Sequence, residues 1–481
     1  MVLRSARRRA LAAAVQAALA AALPGAAAAA NWEIDPWVGG AIGYIHNIEL
    51  NPPDQRHSDD WVAEFEAGFD SDFRSQRFQG GLNYRFRYLD YFTENQFDSS
   101  FHNLNASGQV AVVEDLFFVR GGAFYRQALV DPSGGTSFGN YFSPDNVRDS
   151  WGWNVSPILN HDFGYATFNA QYTYGEVYFT DETASDFNDD STYESAYVSL
   201  FNSDPRQKFS WRTFYSTSRT EYESFEPYRY DQTGIELGWA VTRDIRAIGE
   251  WGLESDLTES TTDGGLDVSY WYVGAIFEPD ARNRLELRTG ERFFGNTYFV
   301  SFRHRAKRVE VTASYTEEPS TNTGRRVALP DTPPGEIPPF PDFPDSGDTR
   351  AEPFLLERAA LSVTVDGRMT VVQASLVDED QTYFDTGREV DSLYGQVSAT
   401  RELGPTLSAR VWYSWRNREE TRPASGTVAR DTIDHVLAGR LTRDIGRDLS
   451  ASLETAYQWR REQDQDWAEG WWIGLRVRKD F

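Results

Sequence analysis

The 481-residue chain contains no cysteine. That removes a disulfide framework, a thiolate metal site and a cysteine nucleophile together. After residue 30 it also lacks any run approaching the roughly 18 consecutive apolar residues that a membrane helix requires, and its mean hydropathy of -0.57 is that of a water-soluble chain. Histidine is scarce: the six, at 46, 57, 102, 161, 304 and 435, show neither HExxH nor another metal-ligand spacing, and there is no GxSxG. No catalytic residue, cofactor site or metal site is assigned on this basis, and no enzyme is expected; residues assembled from distant strands are what remains of that class. Basic side chains are outnumbered, 47 Lys and Arg against 73 Asp and Glu, which argues against nucleic acid as a partner.

What the chain does have is clearest at its end. In GWWIGLRVRKDF the side chains of Trp471, Ile473, Leu475, Val477 and Phe481 share one side, with polar residues between them. A closing strand with one apolar face, ending on an aromatic, fits an outer-membrane β-barrel with lipid on one side and a polar lumen on the other. The expected partners are therefore outer-membrane lipid and the barrel-assembly machinery, which would meet the strand ending at Phe481. At the other end, Arg4, Arg7, Arg8 and Arg9 precede an apolar run from Ala10 to Leu23 and small residues from Ala26 to Ala30, the order of a secretory signal. Residues 1–30 are expected to be removed after Ala30, leaving 31–481 as the barrel of a Gram-negative outer membrane. Aromatics make up 15% of residues, enough to supply girdles at both interfaces.

The period of two recurs throughout. Phe78, Leu82, Tyr84, Phe86 and Tyr88 lie opposite Arg77, Gln79, Asn83, Arg85 and Arg87, and the alternation returns around Phe117 to Arg126, Leu407 to Arg418 and Leu449 to Arg460. Long polar connections are expected near 47–60, 89–103, 129–148, 179–191, 220–230, 256–266, 318–354, 379–388, 419–431 and 461–469. Tight turns should fall between them, near 71–76, 114–115, 161–163, 203–206, 242–243, 278–280, 304–307, 367–368, 401–405 and 443–447. Short periplasmic turns and long extracellular loops are the rule for such barrels. One extracellular connection is tight, a Gly295-Asn296 turn, and counting it gives an antiparallel up-and-down barrel of 22 strands; 18 or 20 follow if shorter strands merge or fall outside the wall.

VTRDI (241–245), ATREL (399–403) and LTRDI (441–445) resemble one another and read as repeated periplasmic hairpin turns. No plug-sized module precedes the first strand, expected near Trp37, which argues against a TonB-dependent receptor. Within the 318–354 loop, PDTPPGEIPPFPDFPDSGD (330–348) is too rich in proline for a strand and should be a stiff, acidic, extended segment, either a contact point or lid, or a solvated loop that blunts an edge.

Removing the four signal arginines leaves 43 basic residues against 73 acidic ones. The acidic ones gather in expected loops: Asp181 to Asp190, Glu254 to Asp267, and Asp378 to Asp391. Arginine instead recurs on the strand face opposite the apolar one, at Arg85, Arg87, Arg120, Arg126, Arg284, Arg288, Arg292, Arg410, Arg416 and Arg418, with Arg476 and Arg478 in the last strand. These are expected to line the lumen. Two uses are open: selective passage of anions, or pairing with luminal acids such as Glu286 and Glu454 that braces the wall.

GERFFGNTYFVSFRHRAKRVEVTASYTEE (290–318) adds a family resemblance. Its G-x-R-F-F-G-x-T-Y run, the S-F-x-H-R that follows and the closing S-Y-x-E-E resemble the outer-membrane barrel family associated with PEP-CTERM/exosortase exopolysaccharide systems. Arg292, Phe293, Phe294, Gly295, Thr297, Tyr298, His304 and Arg305 carry the match, and the opening from PWVGGAIGYIHNIEL to SDDWVAEFEAGFD is similar to that family's first two strands. The resemblance implies a porin-like barrel at an exopolysaccharide locus, with exopolysaccharide or its export proteins as partners, and it brings no catalytic residues. The functional expectation is passive passage or guidance of polysaccharide or anionic solutes through an arginine-lined lumen. The rival is a non-conducting barrel that displays acidic loops.

Overall fold

A computed structural model describes residues 31–129, 138–142, 147–180, 190–202, 207–223, 225–327, 351–422, 427–463 and 465–481. The expected signal peptide (1–30) and the Pro/Asp-rich stretch 330–348 lie outside the described residues. The chain forms one closed antiparallel barrel of 22 strands. In order these are β1 (Asn31–His46), β2 (Asp60–Arg74), β3 (Phe78–Tyr91), β4 (Ser99–Val113), β5 (Phe117–Leu129), β6 (Val147–Asp162), β7 (Ala166–Phe179), β8 (Ser191–Asn202), β9 (Phe209–Tyr222), β10 (Tyr228–Ala240) and β11 (Ile245–Glu254). There follow β12 (Val268–Asp280), β13 (Asn283–Arg292), β14 (Gly295–Arg305), β15 (Val309–Ser320), β16 (Phe354–Asp366), β17 (Thr370–Tyr383), β18 (Glu389–Gly404), β19 (Leu407–Arg422), β20 (Thr427–Asp444), β21 (Leu449–Glu462) and β22 (Ala468–Asp480). Each strand pairs with its sequence neighbours, and β22 closes on β1 from Trp37↔Asp480 to His46↔Trp471. Closure satisfies the backbone of the terminal strands, the condition for sheet to cross lipid.

The register keeps one parity around the ring, so the two faces separate cleanly. The outward face carries exposed apolar residues such as Ile42, Val198, Leu237, Val273, Leu287, Val397, Val411 and Leu475. Aromatics flank that band: Trp32, Phe163, Trp239, Phe277 and Phe481 near the end with the tight turns, and Trp61, Trp151, Trp251, Trp271 and Trp471 near the end with the longer connections. An apolar band between two aromatic girdles is the surface of a membrane-spanning barrel of the outer-membrane type.

Several boundaries differ from the sequence reading. β1 begins at Asn31, ahead of Trp37, because Asn31–Pro36 already pair with Phe69–Arg74 of β2. The tight hairpin turns on Phe293-Phe294, one pair earlier than Gly295-Asn296: Arg292 pairs with Gly295, whose φ of +114° suits glycine. Connections read as long near 89–103, 220–230, 379–388 and 419–431 are shorter, because strand pairing continues through charged residues once the ladder is running. Glu254, Asp378, Asp380 and Asp391 accordingly sit on strands and not in loops. Of the three related pentapeptides only VTRDI forms a turn; ATREL lies within β18, and LTRDI is mostly the end of β20.

Candidate functional site

Register places all ten expected arginines on the inward face, opposite the exposed apolar row. It also shows that most carry partners. Arg288 lies among three carboxylates, Glu236 at 2.7 Å, Glu250 at 3.2 Å and Glu286 at 2.6 Å. Arg284 holds the other oxygen of Glu286 at 2.8 Å. Arg292 is buried and grips Glu254 at 2.7 Å and the Tyr230 hydroxyl at 2.6 Å. A second knot forms where the first and last strands meet: Arg476 binds Glu64, Glu66 and Glu454 at 2.9, 2.6 and 3.1 Å, and Arg85 also bonds Glu66 at 3.1 Å.

The remaining arginines are held differently. Arg87 donates to the Gly139 carbonyl at 2.6 Å and lies over Phe101 and Tyr141. Arg126 lies over Phe124, and Arg120 reaches Gln109 at 3.3 Å. Arg410 stands across from Arg440, which Glu454 neutralises at 2.8 Å. Arg416 faces Asp434, itself bound by Arg460 at 2.8 Å, and Arg418 is buried between Ser392 and Thr432 in the register. These pairs sit in an interior of lower dielectric than bulk water, so their charges cancel locally and hold neighbouring strands in register.

Arg303, which the sequence reading missed, is not held in this way. β14 reverses parity after the hairpin, which brings Arg303 to the inward face directly across from Arg284. It is exposed, and no described residue pairs with its side chain. Like charges directly opposite in a ladder repel. The wall beyond it is low: Ser301, Thr312, Ser314, Ser362 and Ser375 present small hydroxyl groups on β14 to β17 and, with Arg284, Arg303 and Arg358, line a cavity of about 660 Å³. Arg358 leans on Glu379 at 2.8 Å.

Among the described residues, two connections fold into the mouth. Between β5 and β6, Tyr141 stacks on Trp472, donates to Glu64 and accepts from Arg476 at 3.2 Å, while Phe142 packs in an apolar cluster with Ile45, Leu50, Tyr91 and Trp472. Between β15 and β16, the short helix Asn322–Val327 lies against the inward faces of β6 to β8. Thr323 meets Ser191 at 2.8 Å, the preceding Thr321 meets Thr220 of β9 at 3.0 Å, and Arg325 reaches Glu379 of β17 at 2.9 Å. Among the described residues, these two segments narrow the mouth.

No protein-family model matches the chain, and no curated protein does. Among solved structures, the siderophore receptor PirA from Acinetobacter baumannii is similar over 93% of this chain and 80% of its own, at 8% identity and a TM-score of 0.47. An anion-selective porin from Comamonas acidovorans is similar over 94% and 100%, at 9% and 0.36. OpdK from Pseudomonas aeruginosa, solved with vanillate, is similar over 93% and 98%, at 10% and 0.33. Likeness of this degree adds nothing to the barrel that the ladders already establish.

Proposed function

We propose that this outer-membrane barrel passes hydrophilic solutes passively, guiding anionic, hydroxyl-rich molecules such as saccharide chains along the wall from β13 to β17. The observation that carries this reading is the cavity of about 660 Å³ in which the exposed, unpaired Arg303 stands beside a row of serines. A guanidinium without a carboxylate attracts anions, and small hydroxyls exchange hydrogen bonds with a sugar as readily as water does. No covalent chemistry is needed. The likeness of residues 290–318 to the exosortase-associated barrels favours exopolysaccharide, or the proteins that export it, as partner. Assembly in the outer membrane would use the terminal strand that ends at Phe481.

The inward segments at Tyr141 and Asn322–Val327 favour a second reading, a closed barrel that binds at its surface and does not conduct. Liposome swelling separates the two. Proteoliposomes should swell in an iso-osmotic uronate salt faster than in a neutral sugar of the same size. Absence of swelling, persisting when residues 138–142 are deleted, would leave the closed barrel.

A further inference from the structure

The barrel wall has its shortest ladder between β14 and β15. β14 starts at Gly295 but pairs with β15 only over Val300–Arg305, against Glu310–Tyr315. Among the described residues, Gly295–Phe299 and Thr316–Ser320 have no partner across this seam, although both are fully laddered on their other sides, to β13 and β16. The β4–β5 ladder also stops short of the loop end, but there Leu104–Val113 remain zipped, and roughly 9–11 residues are enough to cross the bilayer. The β14–β15 ladder falls short of that length.

The opening begins within the membrane surface. Outward-facing Tyr298 shares a row with Thr289 and the exposed Val273, one step inside the girdle residue Trp271. Unpaired strand edges cannot face hydrocarbon without polar partners. One is supplied by a side chain: Arg292 donates to the Glu317 carbonyl at 3.2 Å, across the gap. Pro319, on the other edge, has no N–H to leave unsatisfied. Directly below the gap, Ser301, Arg303, Thr312 and Ser314 line the cavity. The run 290–298 that sequence alone singles out is the hairpin beside this seam; within it, a side chain on Gly290 would collide with the Trp271 carbonyl.

We propose that the β14–β15 seam is a lateral portal between the interior and the outer leaflet. Its ligand is an amphiphile: an anionic, hydroxyl-rich head group rests against Arg303 and the serines, and an acyl chain leaves beside Tyr298 and Tyr315. Polar parts of the ligand, or water, satisfy the open strand edges. The head-group site rests on the passage reading above; the portal itself stands on the interrupted ladder.

The chain has no cysteine, so single cysteines can be labelled uniquely. Phe299→Cys and Thr316→Cys place a bimane fluorophore on the inward face at either edge of the seam. Gln396→Cys places one on the inward face of β18, laddered on both sides. In proteoliposomes of phosphatidylcholine brominated on its acyl chains, a label at 299 or 316 should lose most of its emission, and one at 396 should keep it. Either edge position suffices if the other variant fails to show heat-modifiable migration. Folded variants that are quenched at neither edge, or equally at 396, overturn the portal. Ion conductance of the same proteoliposomes reports the passage reading separately: conductance without quenching leaves a channel with a closed wall, and quenching without conductance keeps the portal alone.

Discussion

Tyr141, carried by the connection between β5 and β6, stacks on Trp472 of β22 with ring centroids 5.0 Å apart. A loop is thereby fastened to the wall where the two ends of the barrel meet. Its hydroxyl completes the knot of Glu64 and Arg476 behind it. Replacing Tyr141 by Ala should release the segment and raise single-channel conductance, whereas Tyr141→Phe, which keeps the stack, should have a smaller effect. Equal conductance for Y141A and the parent would show that this segment does not narrow the path.

Arg288 serves three acids, and its own charge is fully offset. Arg288→Gln leaves Glu236, Glu250 and Glu286 crowded, with Arg212 and Arg284 as the remaining cations. The expected loss is about 3 kcal/mol, the lower end for breaking a buried ion pair, read as an earlier urea midpoint in detergent. An unchanged midpoint would mean that water inside the barrel already screens the cluster.

Asp59, in the first loop, accepts hydrogen bonds from the Asn47 N–H at 3.0 Å and the Tyr44 hydroxyl at 3.3 Å, and sits 2.8 Å from His46. Partial burial works against its charge, but these bonds prevail and hold the carboxyl below its ordinary range. A depressed carboxyl stabilises the folded loop above the unfolded value, about 4, and the contribution fades as pH falls through the lower folded value. Proteolysis between residues 47 and 59 should therefore accelerate only in strong acid. Asp59→Asn should loosen the loop at neutral pH and flatten that acid response; an Asn variant with the parent's profile would assign the acid step elsewhere.

Loop length also predicts sidedness. A cysteine at Gly335 should react with an impermeant reagent on intact cells, and one at Val241, in the β10–β11 turn, only after the outer membrane is broken. The reverse pattern would invert the barrel.

Much of this fold is written in a period of two, and the count of 22 strands follows from it once a tight turn is counted after β13; only the turn's place, Phe293-Phe294, needs the register. The inward arginines are legible by the same parity. Their partners are not, because closure brings together residues with no local signal: Arg288 and Glu236 are 52 positions apart, and Arg476 and Glu64 are 412. Glu254 reads as a loop acid, yet it is wholly buried against Arg292. Arg303 lies beyond a two-residue turn that reverses parity, so it does not continue the even-numbered arginine row of β13, and its cross-strand neighbour Arg284 is apparent only from the register. The interrupted β14–β15 ladder has no sequence signature beyond Pro319, since pairing is a property of two strands.

In the proposed passage, an uncompensated arginine beside a hydroxyl wall guides anions through the interior. Reversal potential across a planar bilayer under a salt gradient tests it most directly, with Arg303→Glu compared against Arg288→Gln. Arg303→Glu moves the fixed charge by two units, from +1 to -1, in a confined site where salt screens less than at an open surface. The parent should favour anions, R303E should shift toward cations, more so at low salt, and R288Q should change selectivity less. A parent without anion preference, or an R303E reversal potential equal to the parent's, would contradict the account.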